Sequence, residues 1–87
     1  MVREKFKPQV AGSESYLMRF QNSDLVENML VIQHNLRVEF PVVMVYDESN
    51  KVVIPDDITW LDEDRIELDL TSFAPISGIW HARVVKD

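Results

Sequence analysis

The sequence predicts an all-β fold, a small antiparallel β-sandwich or barrel of about six or seven strands behind an extended N-terminal arm. Three observations carry that reading. Residues 65–70 (Arg-Ile-Glu-Leu-Asp-Leu) alternate charged and apolar side chains without an error, the period of a strand with one wet face. Residues 42–46 and 52–54 are β-branched runs at hairpin distance, joined by Asp47, Glu48, Ser49, Asn50 and Lys51. Turn residues recur between short apolar runs, and no stretch sustains a long helical period.

The elements follow in order. Residues 1–15 (MVREKFKPQVAGSES) have no period and read as an arm, either a loose terminus or a segment that orders against a partner. Residues 16–87 are then a single sandwich domain. Tyr16, Met18 and Phe20 alternate with Leu17, Arg19 and Gln21, a short strand signal. Asn22, Ser23 and Asp24 are turn formers, although Ser23 could also cap a short helix over Leu25, Met29 and Ile32. A strand over 29–34 is the preferred reading, because Leu-Val-Ile is branched and brief. Pro41 precedes the run 42–46, and Pro55 ends the run 52–54 by withholding an amide donor. Strands are expected again over 58–61, 65–70 and 79–85, with a crossing loop through Phe73, Pro75 and Gly78. The expected core is Leu30, Ile32, Val43, Val45, Ile54, Ile58, Trp60, Ile66, Leu68, Leu70, Trp80, Ala82 and Val84. So small a core supplies a driving force that chain entropy nearly cancels, which makes self-association a natural remedy.

Composition bounds the chemistry. The absence of cysteine excludes disulfides, thiolate metal sites and a thiol nucleophile. The longest runs of large apolar residues are far shorter than the roughly 20 needed to span a membrane, and no signal peptide is evident. Residues 1–37 hold five basic and four acidic side chains, residues 38–87 four basic and eleven acidic. A surface with that field repels a phosphate backbone, so neither nucleic acid nor membrane is an expected partner.

His34 and His81 have no third ligand at zinc spacing, and His34 beside Asn35 reads as a strand-end hydrogen-bonding residue. His81 alternates with Trp80 and Ala82 and is expected outside. Asp56, Asp57, Asp62, Glu63, Asp64, Glu67 and Asp69 crowd into fourteen residues. Turns and solvated faces account for most of them; a loose calcium site lacks the loop glycine and spacing, and a glycosidase pair lacks room for a cleft. With two glycines and no nucleophile elbow, no phosphate loop or hydrolase triad can be written. No cofactor is expected, and the chain reads as a non-enzyme.

His34-Asn35-Leu36, then Val42-Val43-Met44-Val45-Tyr46-Asp47, then Val53-Ile54-Pro55-Asp56-Asp57-Ile58 form a recognisable succession. It resembles a small β-sandwich module of bacteriophage tail-fibre and other virion structural proteins. There a strand ends in His-Asn-Leu, a Val-rich strand ends in Val-Tyr-Asp, and a turn leads to Ile-Pro-Asp-x-Ile; Ser77-Gly78 supplies the loop before the last strand. The likeness covers about residues 29–85. It marks His34, Asn35, Leu36, Tyr46, Asp47, Pro55, Asp56 and Gly78 as turn and strand-end residues. The chain departs from it at Arg37-Val38-Glu39-Phe40-Pro41, where a polar or glycine-containing connection is usual, and in having the arm. The resemblance implies a virion component without catalysis.

Among virion roles, a fibre needs a shaft, and heptads are absent. With Met1 read as its own start, the chain is expected to be a capsid cement or decoration protein, a homotrimer clamping the major capsid protein or another virion protein. Arg3, Lys5, Phe6 and Lys7 are expected to meet the shell, and the acidic loops at Asp47 and Asp62 to face solvent. A tail-fibre or receptor-binding module would instead expose Trp60 or Trp80 to host glycans. A small glycan-active enzyme would show an acid pair in a cleft, and a cellular adaptor protein is the remaining alternative.

Overall fold

The computed structural model describes residues 14–86, and these form two antiparallel sheets facing each other as a sandwich. The strands are β1 (Ser15–Phe20), β2 (Met29–Gln33), β3 (Val42–Tyr46), β4 (Val52–Val53), β5 (Asp57–Asp62), β6 (Arg65–Asp69) and β7 (Trp80–Val85). One sheet runs β1-β7-β3-β4 and the other β2-β6-β5. All seven expected strands are present with ends within one residue, and the two open sheets settle sandwich over closed barrel. β1 pairs with β7 in one sheet, and β2 pairs with β6 in the other.

Residues 22–29 resolve into two tight turns rather than a helix. A single 3₁₀ turn, Asn22–Asp24, follows Gln21, whose amide donates to the Asp24 carboxylate at 2.8 Å. Glu27 and Asn28 then take left-handed φ values of 52° and 67° and reverse the chain into β2. Two consecutive left-handed residues cannot continue a helix, which is why Ser23 caps none.

The core follows the strand period. Leu30, Ile32, Ile66 and Leu68 from the three-stranded sheet, with Leu70 just past β6, meet Phe20, Val45, Trp80, Ala82 and Val84 from the four-stranded one. Val43 and Ile58 pack against this cluster while partly exposed. Two expected core members are not there. Ile54 is 81% exposed, because it follows Val53, which lies opposite the buried Val45, and so takes the outward parity of Val52. Trp60 is 39% exposed, because β5 is an edge strand that the two-residue β4 does not cover. The core instead takes in Phe20, Ile76 and Pro41, together with His34. Trp80 sits between Phe20 and Phe73, with ring centroids at 6.2 and 6.1 Å, and its indole N–H donates to the Ser77 carbonyl at 3.1 Å.

Candidate functional site

The residues that carry the virion resemblance act as turn builders. The amides of His34 and Asn35 donate to the Asp64 carbonyl, and that of Val38 to the Glu63 carbonyl, so residues 34–38 strap over the β5–β6 turn. Asn35 and Arg37 hold left-handed φ values of 58° and 55° to make the strap. Arg37 N–H donates to the Asp64 carboxylate at 3.0 Å, and Leu36 packs on the core. At the β3–β4 hairpin the Asp47 carboxylate accepts from Ser49 and Lys51 amides at 2.8 and 3.0 Å. Asp56, after the half-buried Pro55, accepts the Ser72 amide at 2.7 Å and pins the β6–β7 loop. Gly78 has φ +72°, and a Cβ there would lie 2.9 Å from Glu48 Cβ. Gly78 therefore lies against the hairpin that Asp47 builds, while the others stand at separate strand ends. Tyr46 is different, lying half-buried on the outer face of the four-stranded sheet.

His34 is nearly fully buried, continuing the parity of Leu30 and Ile32. Its Nδ1 accepts the Leu36 amide at 3.1 Å, which places the ring proton on Nε2. Nε2 is buried without a hydrogen-bond partner among the described residues. Burial holds the imidazole pKa below its ordinary 6.5, opposed by the charges of Asp64 and Asp62. The neutral ring therefore belongs to the folded state. Below about pH 6.5 the unfolded chain binds a proton that the folded chain resists, so stability falls as pH drops through that range. The urea midpoint should fall between pH 7.5 and 5, and His34→Gln should flatten that limb; equal pH dependence in both proteins would refute the assignment. Asp62 and Asp69 titrate lower still: Asp62 is held down first by its hydrogen bond from Arg65, Asp69 by those from Thr71. The stability they add is present above the ordinary carboxylate range and is lost as pH falls through their lowered pKa values.

The two outer faces have opposite character. The strands of the four-stranded sheet contain no acid. By register, its outer face carries Leu17, Arg83 and Met44 in one row and Arg19, His81, Tyr46 and Val52 in the next. Ser15, Val85 and Val42 complete it. Leu17 is 55% and Val52 59% exposed, so this is an apolar surface studded with two guanidinium groups. The strands of the three-stranded sheet hold four acids, Asp57, Asp62, Glu67 and Asp69, against the single cation Arg65. Asp57 and Asp69 stand directly opposite each other on that outer face.

No protein-family model, curated protein or solved structure matches the chain.

Among the described residues, three of the surface hollows bear on a site. One of about 440 Å³ lies between Gln33 and the β5–β6 turn, where Asp62 is engaged by Arg65 at 2.8 Å and by the Asp64 amide. A second, of about 240 Å³, is formed by Phe40, Trp60, Glu39, Asp62 and Glu63. The Phe40 and Trp60 rings meet edge to face at 5.9 Å, and the indole N–H donates to the Pro41 carbonyl at 3.2 Å. The third, of about 530 Å³, joins Asp24, Glu27 and Glu67 to the apolar Val26, Met29 and Val31. Among the described residues no three His, Asp or Glu side chains converge as a metal site.

Arg3, Lys5, Phe6 and Lys7 lie outside the described residues. The sequence reading missed the outer face of the four-stranded sheet, although a signal was present. Residues 42–46 are apolar at every position, and a strand apolar on both sides in an antiparallel sheet has two surfaces to cover.

Proposed function

We propose that this chain is a non-catalytic structural protein of a bacteriophage virion, of the capsid decoration type. It clamps neighbouring subunits of the major capsid protein and assembles with its own copies, as a trimer in the reading the sequence suggests. The supporting observation is the apolar, acid-free outer face of the four-stranded sheet in a chain of net charge −6. A contiguous exposed apolar patch is the mark of an interaction surface. Many modest contacts made together give a tight clamp without any single strong one. Arg3, Lys5, Phe6 and Lys7 are the proposed contacts of the arm with the shell.

Quantitative mass spectrometry of purified particles tests this reading. A copy number near that of the major capsid protein supports decoration, and absence from the particle refutes it. Deleting residues 1–12 should abolish binding to particles while leaving the circular dichroism of the domain intact; undiminished binding would remove the arm from the contact.

One observation favours a second reading, a tail-fibre or receptor-binding module. Trp60 is exposed beside Phe40, as a glycan-stacking residue would be, whereas Trp80 is buried. Copy numbers matching a tail component, together with glycan-array binding lost on Trp60→Ala, would select it.

A further inference from the structure

We propose that copies of this chain associate face to back: the acid-free outer face of the four-stranded sheet seats on the acidic outer face of the three-stranded sheet of a second copy. The inference assigns to a second copy the same face that supports the reading above, and it needs only this chain.

Charge complementarity selects the occupant. The apolar rows of the donor face present Arg19 on β1 and Arg83 on the central strand β7. Placing two such faces together would gather the arginines of both with no acid in their strands to meet them, and like charges in a contact are costly. The opposite side of the same sandwich offers the complement. Its third hollow sets Asp24, Glu27 and Glu67 around an apolar floor of Val26, Met29 and Val31. An arginine flanked by aliphatic side chains meets both its charge and its apolar demand there.

A second observation points the same way. Asp57 and Asp69 face each other across β5 and β6, an arrangement that destabilises an isolated sheet. Asp69 is held by Thr71, and Asp57 by the Ile58 amide, so neither carboxylate meets a cation within these strands. A guanidinium from a neighbouring copy relieves that repulsion. Because the two faces lie on opposite sides of one sandwich, each new contact leaves a free face at either end, and the contact repeats without closing. It is therefore a link between units, separate from whatever surface closes a trimer.

The test is sedimentation of the full chain across a concentration series. Mass should grow with concentration at about 0.02 M salt and shrink toward the smallest unit at about 0.5 M. Arg83→Glu and Glu67→Lys should each weaken growth by about tenfold or more. Mixed together, these variants should associate again, because the two intact faces pair with each other and the two reversed charges complement one another. Arg19→Glu and Asp57→Lys, both at exposed positions, repeat the test should the half-buried Glu67 disturb folding. Three outcomes overturn the proposal: constant mass at low salt, growth by Glu67→Lys equal to the parent, or tighter association by Arg83→Glu, which would mark the apolar faces as packing on each other.

Discussion

Replacing Trp80 with alanine should cost about 3–5 kcal/mol, while Trp60→Ala should cost only about 1–2 kcal/mol. The difference rests on position, since both indoles point inward from their strands. Trp80 begins the central strand of its sheet, is packed between Phe20 and Phe73, and anchors its N–H on Ser77. Its loss opens a cavity that neighbouring strands cannot fill. Trp60 would forfeit an edge contact with Phe40 and one hydrogen bond to Pro41. A domain this small has roughly 5 kcal/mol to lose, so Trp80→Ala should keep no more than about 2 kcal/mol and unfold at the lowest urea concentrations, while Trp60→Ala stays fully folded. Urea titration followed by circular dichroism measures both, and similar losses in the two variants would contradict the assigned packing.

Gly78→Ala should destabilise by about 2–3 kcal/mol. Part of this is the left-handed backbone at φ +72°, which costs a residue with a side chain about 1–2 kcal/mol. The rest is contact, because the new methyl would stand 2.9 Å from Glu48 Cβ on the hairpin opposite. The two causes separate in a double-mutant cycle. Glu48→Gly should restore the contact share and leave the backbone share, so the coupling between the sites should be about 1 kcal/mol. Additive losses would mean that the hairpin shifts aside freely.

Strand existence was legible because each strand carries its own period and is bounded by its own turn residues. Burial was less so, since it depends on what lies across the sandwich. Ile58 and Trp60 share one parity, but only Ile58 lies beneath enough of the facing sheet to pack on the core. Ile54 ends a β-branched run and still points outward, because it alternates with Val53, which lies opposite the buried Val45. Ile76 enters the core from a loop with no period at all. His34 could have been placed inside from its parity with Ile32. Asp47 acts locally, on the amides of Ser49 and Lys51, whereas Asp56 holds the Ser72 amide and Gly78 meets Glu48, partners that a local reading of turns does not supply. The opposed outer faces needed the register, because they combine residues from strands distant in sequence.

The order β1-β7-β3-β4 puts the last strand in the middle of its sheet. Before residue 85 has left the ribosome, β1 has no neighbour, and of this sheet only the β3–β4 hairpin can pair. Such high contact order slows folding and leaves the waiting strands open to the wrong partners. Synthesis rate, chaperone access and crowding by sister chains should thus weigh more on the yield of this protein than its modest size suggests.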